Sequence, residues 1–141
     1  MSKAETIAKW LEEQRPTAID EAVAKTSFDG AFGKVVCIGY ALHDNGTPDT
    51  ISGLDEDVVL NNFNIVLAGN ISASAVLSTS VVGHNVSAFD LRFLLQRYIV
   101  NGIRPHALIV RAAQAKPWES EKVFDTMTQF AGVGNRISLD K

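Results

Sequence analysis

Apolar residues recur at Ile7, Trp10 and Leu11, spaced i, i+3 and i+4, with Glu12, Glu13 and Arg15 off that stripe. This periodicity predicts helix across residues 4–25. Pro16 interrupts it, so two short helices are expected, about 4–14 and 16–25. Ser27 to Gly33 holds two glycines and reads as a turn-rich loop. Lys34 to Leu42 is almost all apolar and β-branched at its start, the pattern of a strand buried on both faces. Cys37 then falls inside that strand as a buried, inert thiol. The run His43-Asp-Asn-Gly carries an Asn-Gly hairpin signal and leads to a short edge strand over residues 49–54.

Asp55, Glu56 and Asp57 suit the positive end of a helix. Val58, Val59, Phe63, Val66 and Leu67 supply its apolar side, and Gly69-Asn70 ends it. Residues 71–80 are small, Ser-rich and ambiguous, and Val76 to Gly83 predicts a strand. A helix from Ser87 to Val100 follows, with Leu91, Leu94, Leu95 and Tyr98 on one face. A short strand at 122–124, a helical turn at 126–130 and a loop at 131–141 complete the chain. This order predicts one α/β domain with a mixed sheet and flanking helices: a helical segment at 1–25 and a mixed-sheet core at 26–141.

Composition narrows the class. The chain has 141 residues, 46% apolar and 21% charged, which excludes a disordered chain and suits one domain. No window approaches 18 consecutive apolar residues and the N-terminus has no apolar h-region, so no membrane partner and a cytoplasmic location are expected. A single cysteine excludes an internal disulfide and a cysteine-based zinc site. Residues 1–60 hold 11 acids and 5 bases, whereas 91–118 hold Arg92, Arg97, Arg104, Arg111 and Lys116 and no acid. The second stretch reads either as solvated faces or as a local positive region for a polyanion.

Candidate chemistry concentrates at Val82-Gly-His-Asn-Val-Ser-Ala-Phe-Asp-Leu-Arg-Phe-Leu. A strand ends there in a glycine turn, at the position where open α/β sheets bind ligands. Asp90 reads either as the N3 partner of a Ser87 cap or as a cation ligand. His84 suits turn packing or a phosphate contact, Asn85 an Asx turn or a sugar–phosphate contact, and Phe89 core packing or base stacking. Trp10 and Trp118 read as core or interface residues, and Asp125 as a turn aspartate bonded to nearby backbone. No nucleophile elbow, Walker loop or dinucleotide fingerprint is present, and the three histidines do not fall at metal-ligand spacings.

The segment His84, Asn85, Phe89, Asp90, Leu91, Phe93 and Leu94 resembles the second exonuclease motif of the DEDD superfamily of 3′–5′ exonucleases. The stretch Lys25 to Ala41, together with Lys116-Pro-Trp and Val123-Phe-Asp-Thr-Met, resembles the phage and prophage branch, and the likeness runs over roughly residues 5–139. It implies a ribonuclease H-like mixed sheet. It also implies phosphodiester hydrolysis by two Mg2+ or Mn2+ ions held by four acids, on the 3′ end of single-stranded DNA or RNA. Asp90 matches the middle acid of that quartet, as catalytic residue and metal ligand; His84, Asn85, Phe89 and Arg92 would face nucleic acid.

The quartet's Asp-x-Glu strand and its late Tyr-x-x-x-Asp helix have no match in these residues. Glu5-Thr-Ile lacks a preceding apolar strand, and Asp20-Glu21 is unspaced. The resemblance therefore implies a domain without its first, central strand and last helices. One carboxylate cannot neutralise two divalent ions, so this chain is expected to be inactive by itself. Strands 34–42 and 76–83 would have to pair with each other or with another chain, which implies a homo-oligomer or an altered strand order. The alternative reading is a non-catalytic remnant that binds single-stranded nucleic acid or a protein partner, or simply oligomerises.

Overall fold

The computed structural model describes residues 2–43 and 46–140, with the backbone alone at Pro16. Its first element is one continuous helix, α1 (Lys3–Thr26), and not the two expected around Pro16. A proline removes one backbone donor from a helix and costs about 3 kcal/mol, but the remaining turns keep their bonds. The start is fixed by a capping box: Ser2 Oγ accepts from the Glu5 amide, and the Glu5 carboxylate accepts from the Ser2 amide. That settles Glu5 as a capping residue. No described side chain of α1 is buried, and Trp10 is 60% exposed, so Trp10 is not a core residue.

Strand β1 (Cys37–Tyr40) pairs antiparallel with β2 (Asp49–Ser52), which lies at the sheet's edge as expected. Asp44 and Asn45, the centre of the expected hairpin turn, lie outside the described residues. The strand expected over 34–42 is shorter because its start is tied elsewhere. The Val35 amide donates to Glu56, and Lys34 Nζ donates to the Leu54 carbonyl. Nor is it buried on both faces: exposed and half-buried residues alternate, and Cys37 is exposed. The buried, inert thiol is thereby corrected.

Helix α2 (Glu56–Asn70) starts where expected, with Asp55 Oδ1 accepting from the Asp57 amide. The strand expected over 76–83 is reduced to β3 (Val81–Gly83), preceded by a 3-10 turn at Ala75–Ser78. Hydroxyls of Ser78 and Thr79 bond back to the Ala75 carbonyl and hold this turn against the extended form. Helix α3 (Asp90–Val100) starts three residues later than expected. A short helix that periodicity did not mark, α4 (Ala107–Ala113), packs against it. Strand β4 (Val123–Asp125) and helix α5 (Thr126–Ala131) follow.

The chain is mixed α/β, but among the described residues its strands form two small sheets and not one. β1 and β2 make an antiparallel pair, β3 and β4 a parallel pair, and β1 does not hydrogen-bond to β3. The core lies between these pairs and the helices: Leu60 and Tyr98 are fully buried, with Phe63, Leu67, Leu91, Leu108, Ile109 and Val123 around them. The Tyr98 hydroxyl donates to the Leu60 carbonyl at 3.0 Å, satisfying the one polar atom it buries. Between β1 and β3 an open cleft of about 1100 Å³ remains. Among the described residues, no helix is long and apolar enough to cross a membrane.

Candidate functional site

The β3–α3 loop and the start of α3 bring Phe89 and Asp90 to one rim of this cleft, whereas His84, Asn85 and Arg92 are not among its lining residues. β3 ends at Gly83, where an added Cβ would lie 2.7 Å from Val86 Cβ, so the return of the chain requires glycine. Asn85 takes the left-handed conformation, φ 58°, which asparagine tolerates better than most residues. The loop is then clamped from outside. The buried carboxylate of Asp125, at the end of β4, accepts from the amides of Asn85 at 2.9 Å and Ser87 at 3.0 Å. The same carboxylate caps α5 through the Met127 and Thr128 amides. Burial pushes this carboxyl up, but the four amides outweigh it, and the net shift is below the usual carboxylate value. Its expected structural part is what the geometry shows.

His84 is fastened on both sides. Nδ1 lies 3.0 Å from the Thr126 hydroxyl, and Nε2 donates to the Ile137 carbonyl at 2.8 Å. Both ring nitrogens are thus used within the chain. The Asn85 side chain is half-buried and takes no hydrogen bond among the described residues.

Asp90 opens α3 at the cleft's rim and is exposed. The Ser87–Asp90 capping box expected as one alternative does not form. Phe89 occupies the cap position without a side-chain bond, and the Ser87 amide is spent on Asp125. Surrounding protein mass pushes the Asp90 carboxyl above its usual value, and the negative charge of Asp125 adds to that. Phe89 is half-buried and packs at 6.0 Å on Phe28 and at 5.8 Å on Phe93, so of the two parts weighed for it the packing is the one the geometry shows. Phe28, a residue that the sequence pattern leaves inside a turn-rich loop, is 71% exposed and meets the rim through Phe89. Its only sequence signal was an aromatic residue beside glycines. Arg92, one turn of chain beyond Phe89, is exposed.

The expected positive region at 91–118 is broken up. Arg97 is buried and donates from Nε and Nη2 to both oxygens of Glu56, at 2.8 and 2.6 Å, and from Nη1 to the Gly30 carbonyl. Arg111 is spent on the carbonyls of Thr79 and Leu77. Arg92, Arg104 and Lys116 remain exposed. Trp118 is 78% exposed and is not in the core.

For a divalent ion the donor set is small. Among the described residues no three His, Cys, Asp or Glu side chains gather as a metal-holding group. Asp125 is committed to four amides, which leaves Asp90 as the carboxylate that lines the cleft among the described residues. Two ions would call for oxygen donors beyond Asp90. Comparison with family models, with curated proteins and with solved structures returns no match.

Proposed function

We propose that the chain is an exonuclease-like protein of the DEDD type with a ribonuclease H-like arrangement, which binds the 3′ end of single-stranded nucleic acid and does not cleave it by itself. One observation carries this reading: Asp90 stands exposed at the mouth of the cleft, just past β3, and is not consumed as a helix cap. A carboxylate at the carboxyl end of a strand is where an open α/β sheet meets its ligand. The order β2–β1 on one side of the cleft and β3–β4 on the other is compatible with such a sheet.

In this reading Phe28 and Phe89 offer aromatic faces to the terminal bases, each stack worth roughly 1–3 kcal/mol. Arg92 meets a phosphate, and Asn85 offers its amide to sugar or phosphate. His84 acts through the loop, holding Asn85 to Phe89 in place through Thr126 and Ile137. Hydrolysis in such enzymes draws its nucleophile and its charge stabilisation from two metal ions, which Asp90 alone cannot hold.

The test is a 5′-labelled single-stranded oligonucleotide incubated with Mg2+ or Mn2+, with wild type and Asp90→Ala side by side. The expected result is no metal-dependent shortening from either, together with salt-dependent binding that EDTA leaves unchanged. Metal-dependent 3′ shortening that Asp90→Ala abolishes would contradict the inactive reading, and absence of any affinity would contradict the binding reading. A second reading, self-association, is favoured by the exposed Ile7, Trp10 and Leu11 of α1.

A further inference from the structure

We propose that the cleft between β1 and β3 receives an extended, apolar segment of a separate polypeptide, which pairs with both strands at once and joins the two sheets into one. The backbone registers carry the argument, and it stands without the nuclease reading. The Val36 carbonyl accepts from the Gly53 amide at 3.0 Å. Alternation in an antiparallel ladder then turns the N–H and C=O of Ile38 and Tyr40 towards β2 and those of Cys37 and Gly39 away from it. On the other side the Val81 amide donates to the Lys122 carbonyl at 3.0 Å, which turns Val81 and Gly83 towards β4 and Val82 away. Among the described residues, no hydrogen bond reaches the outward backbone groups of Cys37, Gly39 or Val82. All three residues are exposed, all three line the cleft, and a Cβ added at Gly39 would meet nothing within 4 Å.

The size and lining of the cleft select the occupant. A strand within a packed sheet takes about 160 Å³ per residue, from a rise of ~3.3 Å, a strand spacing of ~4.8 Å and a layer spacing of ~10 Å. The cleft's volume of about 1100 Å³ therefore holds a single strand of about seven residues. Phe63, Leu67, Ile71, Leu91, Leu94 and Ile109 line it, so the inserted side chains are apolar. A nucleic-acid strand would have to bury a run of charged phosphates beside that apolar lining, with Lys34 and His43 its basic side chains among the described residues. A second copy of this chain fits poorly too, because each strand among its described residues is already paired along one edge and would have to unpair to offer two free edges. Only a free extended peptide presents donors and acceptors on both edges together.

The test uses the full chain, uniformly labelled with 15N, and follows amide hydrogen exchange at Cys37, Gly39 and Val82. The probe is an acetylated, amidated nonapeptide with the sequence of residues 34–42 carrying Cys37→Ser, the most continuous apolar, β-branched stretch available. A second peptide of the same sequence is N-methylated at alternate residues, which keeps its apolar side chains and removes one edge of donors. The expected result is at least tenfold slower exchange at all three amides with the first peptide and no slowing with the second. Equal protection by both peptides, protection of one strand edge only, or no protection would each overturn the proposal. So would protection that arises without peptide and grows with protein concentration, since a second copy would then fill the cleft.

Discussion

Two buried carboxylates, Asp125 and Glu56, fasten distant parts of this chain to one another. Asp125 ties the β3–α3 loop to the start of α5 through four amides. Replacing it with Ala strands those donors in a buried place, and a cost of about 3 kcal/mol is expected in chemical denaturation; an unchanged midpoint would refute the clamp. Glu56 is the second, holding Arg97 with both oxygens and accepting from Val35 and Asn101 as well. Its hydrogen bond to the Arg97 guanidinium is the largest cause that holds its carboxyl down at about 2, against an ordinary value of 4.5.

A carboxyl whose folded pKa is lowered contributes stability that is complete above its unfolded value and lost as pH falls. Wild type should therefore lose stability between about pH 4.5 and about pH 2 through this group. Glu56→Gln should be destabilised by about 3 kcal/mol at neutral pH, because Arg97 is left buried without its counter-charge. It should also lose much of that acid dependence, as read from denaturation midpoints across the pH range; the same acid slope in wild type and variant would contradict the assignment. Asp125 was legible as a turn residue because its partners at 127 and 128 are local, but not its hold on residues 85 and 87. Arg97 was misread as part of a positive region for the same reason: its partner lies 41 residues away, and charge spacing along a chain does not reveal pairing across a core.

At the level of elements, helices with strong signals were legible and their ends were not. α2 starts where three acids in a row suit a helix's first turn. α3 starts late because the Ser87 amide is drawn off to Asp125, a tertiary choice that a local capping pattern cannot foresee. The strand at 76–83 shrank because serine and threonine hydroxyls closed a 3-10 turn on the Ala75 carbonyl. α1 ran through Pro16 because a single lost bond does not unravel a helix of 24 residues capped at its start. That helix carries Ile7 and Leu11, each about half exposed, beside Trp10, an apolar stripe without an intramolecular partner. Self-association through it predicts a concentration-dependent mass in light scattering, reduced to the monomer by Trp10→Glu without loss of stability. A monomer at all concentrations in wild type would contradict that reading.

The whole molecule is two strand pairs on one set of helices with a cleft between them, and its candidate site lies on the cleft's rim. The α/β character was readable from alternating elements, whereas the division of the sheet was not, because pairing between strands distant in sequence leaves no local periodicity. The rim holds Phe89 and Asp90, with Phe28 packed on Phe89 from a loop more than fifty residues away in the chain, and Asn85 and Arg92 flank them in sequence. The proposed meeting of this rim with a single-stranded 3′ end is tested by titrating the 15N-labelled chain with a short single-stranded oligonucleotide and following each backbone amide. The expected shifts saturate together at Phe28, Asn85, Phe89, Asp90 and Arg92 and leave Arg104 and Lys116 in place. Shifts confined to Arg104 and Lys116, or no shifts at all, would contradict it.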